Sequence, residues 1–172
     1  MDSQTILSVD QVLSLPNIKN AIESSEHTII ILRGLSGSGK STVAKKIKEL
    51  YGDIVVICSA DKFFITPDGK YEFDPHRLSE VHQLCKESVL KALANDGQKR
   101  VVVVDNTHSS YREYSYCDSK IFQTFILEFV CSPDDVALCA SRTTHSVPIE
   151  VIQRMYNRWY HDPNSNKMSL SV

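Results

Sequence analysis

The feature that most constrains this chain is a bunching of glycines. Gly34, Gly37 and Gly39 fall within six positions, in the stretch Gly34-Leu-Ser-Gly-Ser-Gly-Lys-Ser41, although the whole chain of 172 residues holds only six glycines. The stretch fits G-x-x-x-x-G-K-[S/T] at every fixed position, a match expected by chance with a probability of order one percent or less. Glycines let backbone N–H groups curl around an anion, and a helix starting behind them adds the positive end of its dipole. The lysine reaches the β and γ phosphates, and the hydroxyl after it ligates Mg²⁺. The pattern therefore assigns Gly34, Ser36, Gly37, Ser38, Gly39, Lys40, Ser41 and Thr42 to a nucleoside triphosphate, ATP or GTP.

The flanks agree with this reading. Thr28-Ile-Ile-Ile-Leu32 is a continuous β-branched run of the kind buried on both faces of a parallel sheet. Ser41 to Tyr51 then reads as an amphipathic helix, with Val43, Ile47, Leu50 and Tyr51 on one face. Further strands are expected at Ile54–Cys58, Val101–Asp105 and Phe125–Val130. A long helix is expected over 74–94, opened by Asp74-Pro75 and closed by Asn95-Asp96-Gly97. Ser110 with Glu113 forms a capping box, Ser132-Pro133 starts a short helix, and Pro148 starts a last one reaching about Tyr160. Strands separated by helices imply crossover connections and a parallel sheet. The fold class is α/β, with a central sheet of four or five strands. Residues 8–25 form a helical preface, with a Ser8–Gln11 capping box and a break at Pro16, so that 1–27 reads as an N-terminal extension. Residues 28–162 read as the core domain, and 163–172 as a loose, flexible tail.

Composition narrows the function classes. Hydrophobic residues make up 42% and charged residues 23%, which excludes wholesale disorder. The five cysteines form no C-x-x-C pair and no cluster with histidine, which suits reduced thiols of the cytoplasm or nucleus. No secretory leader is expected from residues 1–27, and no apolar run approaches the ~20 residues needed to span a bilayer. The net charge of −2 argues against a histone-like nucleic-acid binder. It is unevenly spread, however: Arg33 to Lys48 carries five basic residues and no acids, whereas residues 1–32 carry four acids and one lysine. This reads as a local basic flank around the cradle.

Two acids sit where open α/β sheets collect ligands, at the carboxyl ends of strands. Asp105 ends the Val101–Val104 run and suits a Mg²⁺ ligand, directly or through water. Asp61, three residues past the second strand, suits a base that takes the proton of an attacking hydroxyl. Each also suits a helix cap or a turn. Arg142-Thr-Thr-His-Ser-Val-Pro148 reads as a small lid whose arginine clamps the transferring phosphoryl group. Arg154 and Arg158, at i and i+4 of the last helix, either extend the positive surface or lie on a solvated face.

Several stretches occur in order: Leu32 to Ser41, Ser59-Ala-Asp-Lys-Phe-Phe64, Tyr71-Glu-Phe-Asp-Pro75, Asp105-Asn-Thr107 and His145-Ser-Val-Pro-Ile-Glu-Val-Ile-Gln-Arg-Met-Tyr156. Together they resemble the P-loop kinase domain of the polynucleotide 5′-kinases, above all the branch found in NEDD4-binding protein 2 and its relatives. The resemblance covers about Thr28 to Asp162. It implies a P-loop kinase fold with a sheet of the adenylate-kinase type, standing alone or excised from a longer protein. It makes Lys40, Asp61 and Arg142 catalytic, Asp61 being the general base for an acceptor 5′-hydroxyl. It places Asp105, Asn106 and Thr107 on the acceptor side, with Ser41 and Asp105 at the metal. Related bacteriophage enzymes carry an arginine three residues after the base; here that place is Phe64, so acceptor contacts are expected from Arg112 or from stacking on Phe63 or Phe64.

The expected function is thus Mg²⁺-dependent transfer of a γ-phosphoryl group to the 5′-hydroxyl end of RNA or DNA, for use in end repair. The partners are then a nucleoside triphosphate and a short nucleic-acid end, with no membrane. The alternatives are a kinase of a small hydroxylated metabolite or nucleoside on the same fold, or a nucleotide-binding adaptor with little catalysis.

Overall fold

The structure is a computed structural model that describes residues 5–94, 96–118 and 122–170. Asn95, expected to help close the long helix, lies outside them. Five strands form one parallel sheet: β1 (Thr28–Arg33), β2 (Val55–Cys58), β3 (Val101–Asp105), β4 (Gln123–Val130) and β5 (Asn166–Ser169), in the order β2-β3-β1-β4-β5. β1 lies between β3 and β4, with Leu32 level with Asp105 on one side and Leu127 on the other. From β1 the chain crosses β3 to reach β2, whereas from β3 it crosses β1 to reach β4. The connections thus diverge at the β1–β3 pair, and a crevice opens at the carboxyl ends of those strands.

The helices are α1 (Val9–Leu13), α2 (Pro16–Glu23), α3 (Lys40–Tyr51), α4 (Leu78–Ala92), α5 (Tyr111–Tyr114), α6 (Asp135–Arg142) and α7 (Ile149–Asn157). Because strand side chains alternate, β1 divides its apolar run between two cores. Ile30 and Leu32 pack with Val103, Leu127, Val43 and Ile47 on the α1–α3 side, whereas Ile29 and Ile31 pack with Val104, Val81, Cys85 and Val89 on the α4 side. Burying each such side chain is worth roughly 1.5–3 kcal/mol. A third, smaller cluster of Leu35, Val136, Cys139 and Ile152 seats α6 and α7 against the loop behind β1.

Both capping boxes form, at Ser8–Gln11 and at Ser110–Glu113, and Pro16 opens α2. Four expectations are corrected. Within the expected 163–172 tail, residues 163–170 are no loose segment: residues 166–169 pair with Leu127–Val130 as β5, and Met168 is fully buried. Residues 1–27 are no mere extension, since Leu7 N donates to Lys167 O and Val12, Ile18 and Ile22 enter the core. The long helix starts only at Leu78, because Asp74 caps a separate 3-10 turn, Pro75–Arg77. The last helix stops at Asn157, freeing Trp159 and Tyr160 to turn inward over Arg33.

Arg33, the last residue of β1, is fully buried. Its Nε donates to His108 O at 2.8 Å and its Nη2 to Tyr160 O at 2.7 Å, while Nη1 pairs with Glu128 on β4. The guanidinium lies 4.8 Å from the ring centroids of Tyr114 and Trp159. Glu128 also receives Lys167 from β5 and the Trp159 indole N–H. One ion pair thus joins β1, β4, β5, the loop after β3 and the segment after α7. Removing one partner of such a pair leaves an uncompensated buried charge. Glu128→Gln is therefore expected to cost about 3–5 kcal/mol in urea unfolding.

His108 is buried beside it with φ 52, its Nδ1 donating to Leu32 O at 2.8 Å. Burial pushes this imidazole down to about 4 from 6.5. The unfolded chain therefore binds the extra proton first, and stability falls as pH drops from 6.5 towards 4. The difference is about 3 kcal/mol at its fullest. Urea unfolding across that range is expected to show the loss in the native chain and a flatter profile in His108→Gln.

Candidate functional site

The glycine loop lies between β1 and α3, at the mouth of the crevice. Gly37 and Gly39 take φ of 82° and 110°, a region that side chains rarely adopt. Gly37 also has no room, since a Cβ there would lie 2.0 Å from the carbonyl oxygen of Cys139 in α6. A Cβ on Gly34 would lie 2.3 Å from Ser38 Oγ. The Ser38 hydroxyl is buried with no hydrogen-bond partner among the described residues, which leaves a donor for an incoming anion. Ser36 and Gly39 are half-buried, and Thr42 is exposed on the first turn of α3.

Lys40 is buried at the base of the loop, and its Nζ donates to the carbonyls of Gly34 at 2.9 Å and Leu35 at 3.0 Å. Burial holds its ammonium below the usual lysine range, while Asp105 and then Asp61 favour the charged form. Ser41 Oγ donates to Asp105 Oδ2 at 2.9 Å, bringing together the two residues expected at the metal. Burial raises the Asp105 carboxyl above the usual range, against the lowering effect of Lys40 and the Ser41 hydroxyl. A hydroxyl and one carboxylate are the hard oxygen donors that Mg²⁺ takes when phosphates complete its shell. No group of three or more His, Cys, Asp or Glu that could hold a metal occurs among the described residues. The donor set fits Mg²⁺ with a polyphosphate better than a dedicated protein cage.

Asp61 lies in the 3-10 turn Ala60–Phe64 after β2. Its side chain is 56% exposed and caps no helix. Asn106, expected beside the acceptor, instead braces this turn: its Oδ1 accepts from Ala60 N at 2.9 Å and its Nδ2 faces Cys85 Sγ at 3.4 Å. The Thr107 carbonyl accepts from Gly34 N at 3.2 Å, so the two residues after β3 support both the cradle and the turn that bears Asp61. Around Asp61 the structure also gathers Tyr71 and His145, which motif spacing left without a role.

Arg142 closes α6, half-buried, one turn after the Cys139 carbonyl that seats Gly37. Arg112 is exposed on α5 and makes no ion pair among the described residues. Arg154 and Arg158 are exposed, as a solvated face requires. Two expectations are corrected. Phe64 cannot stack on a substrate, being 3% exposed and packed against Tyr71 and Phe73 within the α4-side core. The basic flank is reduced at one end only: Arg33 is fully buried, whereas Lys45 and Lys48 are exposed and Lys46 pairs at the surface. Arg33 pairs with Glu128, Lys40 lies on the loop carbonyls, Lys46 pairs with Asp10, and Lys48 donates to Val55 O at 2.8 Å. Charge order along the chain gave no sign of these partners, because Glu128 is 95 residues from Arg33.

The tight seat of Gly37 carries a prediction. Gly37→Ala combines an unfavourable φ with a clash against backbone that cannot swing away, and is expected to lower stability by about 2–3 kcal/mol in urea unfolding. An exposed control with a similar φ but open space, Gly69→Ala, is expected to lose only about 1 kcal/mol.

Known proteins place this architecture. Human YLP motif-containing protein 1 is 26% identical over 179 residues, covering 90% of this chain and 8% of the relative. Human NEDD4-binding protein 2 is 33% identical over 82 residues, covering 46% of this chain and 4% of the relative. The chain thus spans only a small part of these relatives. Among solved structures, the Pnkp1/Rnl/Hen1 RNA repair complex aligns with TM-score 0.59 and 19% identity, covering 78% of this chain and 44% of that one. Chaetomium thermophilum Kti12 in complex with ADP-AlF3 aligns with TM-score 0.52 and 13% identity, covering 83% and 88%. The resemblance drawn from the motifs is borne out, and the fold is that of the P-loop kinases. With residues 28–168 matching its family model, the chain belongs to the family described as chromatin associated protein KTI12.

Proposed function

We propose that this chain is a polynucleotide 5′-hydroxyl kinase. The observation that carries the reading is the convergence, at the carboxyl ends of the strands, of a complete phosphate cradle and an exposed carboxylate. Ser41 Oγ donates to Asp105 beside Lys40, and Asn106, next to Asp105, accepts from the amide of Ala60, next to Asp61. The polynucleotide-kinase likeness of the motifs and the RNA-repair neighbour support a nucleic-acid acceptor.

In this reading the Gly34–Thr42 loop and Lys40 hold the β and γ phosphates, and Arg142 clamps the γ-phosphoryl group from the lid. The Asp61 carboxylate takes the proton of the 5′-hydroxyl as its oxygen bonds to the γ-phosphorus in line, while the bond to the β-phosphate oxygen breaks and the nucleoside diphosphate leaves. Ser41 and Asp105 would hold Mg²⁺, which neutralises charge on the phosphates when bound. ATP and GTP, and RNA and DNA ends, are equally served by these groups.

One observation favours a second reading, phosphorylation of a small hydroxylated metabolite or nucleoside. Phe64, at the place where related enzymes carry an arginine, is buried in the core and offers no contact to a strand of phosphates. The two readings differ in salt dependence: a strand held by phosphate contacts loses affinity steeply with salt, and a neutral acceptor does not.

The test offers γ-labelled ATP or GTP with Mg²⁺ at low salt to 5′-hydroxyl RNA and DNA oligonucleotides, beside a nucleoside panel. Label on the oligonucleotide 5′ end is expected, and its absence overturns the reading. Asp61→Ala is expected to lower turnover by about 10²-fold or more while sparing nucleotide affinity. Lys40→Ala is expected to weaken both nucleotide affinity and rate.

A further inference from the structure

Three side chains that are distant in the sequence meet on the acceptor side of the crevice. Asp61 comes from the turn after β2, Tyr71 from a segment bridged antiparallel to Ile65, and His145 from the loop joining α6 to α7. The Tyr71 hydroxyl donates to Asp61 Oδ1 at 3.3 Å, and His145 Nε2 lies 3.7 Å from Asp61 Oδ2. The Tyr71 and His145 rings are themselves stacked, with centroids 3.7 Å apart and planes 19° from parallel. Each carboxylate oxygen therefore has its own neighbour, one from the body of the domain and one from the lid loop.

A base is effective only within hydrogen-bond reach of the proton it takes, and a displacement of about 1 Å can cost about 10²-fold. Asp61 is exposed on a short 3-10 turn, so nothing in its own element fixes the torsion of its carboxylate. Tyr71 supplies a directional donor. Burial, then the negative charge of Asp61, push its phenol up to about 12, so the hydroxyl remains a donor at neutral pH. His145 stands beside the other oxygen, 3.7 Å away, on a loop that turns through the left-handed region at Ser146, φ 54. Tyr71 in turn packs edge-on against the buried Phe64 ring, which anchors the stack to the core.

We propose that Tyr71 and His145 are positioning residues for Asp61, and that docking of the 143–148 loop through the His145–Tyr71 stack is what aims the base. Closure of the lid over the nucleotide then also readies the acceptor side, so transfer waits for a closed site. This rests on the reading of Asp61 as the base.

The test uses Tyr71→Phe and His145→Phe, which keep stacked rings but remove the hydroxyl and the imidazole nitrogen. Each is expected to lower kcat for the acceptor that the chain phosphorylates by about 10-fold while leaving KM for the nucleoside triphosphate within about twofold. In an Asp61→Ala background neither is expected to lower the residual rate further, because both act through that carboxylate. An undiminished loss in that background, or native kcat in both single variants, overturns the proposal. A second measurement does not depend on turnover: NMR of the His145 ring protons is expected to show an upfield ring-current shift that disappears in Tyr71→Leu. Identical His145 resonances in the two proteins overturn the stack, and with it the proposal. Full turnover in Asp61→Ala removes the base assignment and the positioning role together. Transfer to nucleosides but not to oligonucleotides overturns only the polynucleotide reading, and the same variants are then compared on the nucleoside.

Discussion

The buried Arg33–Glu128 pair is the constraint on which the rest of this structure depends. It sits where β1 runs out into the glycine loop, so the same residue ends the central strand and begins the cradle's support. Its guanidinium reaches the loop after β3 through His108 O and the segment after α7 through Tyr160 O, and its partner carboxylate holds Lys167 on β5. A charge in such a place is tolerable only when its partners complete the shell. That requirement draws the C-terminal segment back onto the sheet and places Trp159 and Tyr160 over the same group. The cradle inherits a rigid floor, which a loop holding a flexible polyphosphate needs.

From that floor the site is built outward by β3. Asp105 meets the Ser41 hydroxyl, Asn106 braces the turn carrying Asp61, and the Thr107 carbonyl holds the first amide of the loop. Three consecutive residues thus tie the donor side to the acceptor side. α6 and the loop after it contribute from the other side: the Cys139 carbonyl seats Gly37, and His145 approaches Asp61. The two halves of the site are mounted on different elements, and their relative position is set by packing at the carboxyl end of one sheet.

Where reading the chain succeeded and failed follows from the range of the interactions. Capping boxes at Ser8 and Ser110 and the Pro16 helix start depend on residues three or four apart and are legible directly. β5 was not legible, because Asn166-Lys-Met-Ser169 is short and largely polar, and it becomes a strand only through its pairing with Leu127–Val130. Phe64 shows the same limit at a candidate site residue. The family resemblance suggested an acceptor contact there, yet its ring satisfies the hydrophobic demand of the α4-side core. The Asp-Asn-Thr segment assigned Asn106 to the acceptor side, and in the structure its amide serves the backbone of Ala60.

By itself the sequence determined the parts governed by local geometry and by composition. These are the α/β class, read from apolar runs alternating with amphipathic ones, and the phosphate cradle, read from glycines at positions where only they accept the backbone. The tertiary structure alone decided which charges remained free. Arg33 reads as part of a basic flank, but burial and the distant Glu128 consume its charge, because a charge leaves water only where the fold brings it compensation. It also decided what surrounds Asp61. Tyr71 and His145 are 10 and 84 residues away along the chain, and only the stacking of two loops at the carboxyl end of the sheet makes them neighbours of one carboxylate.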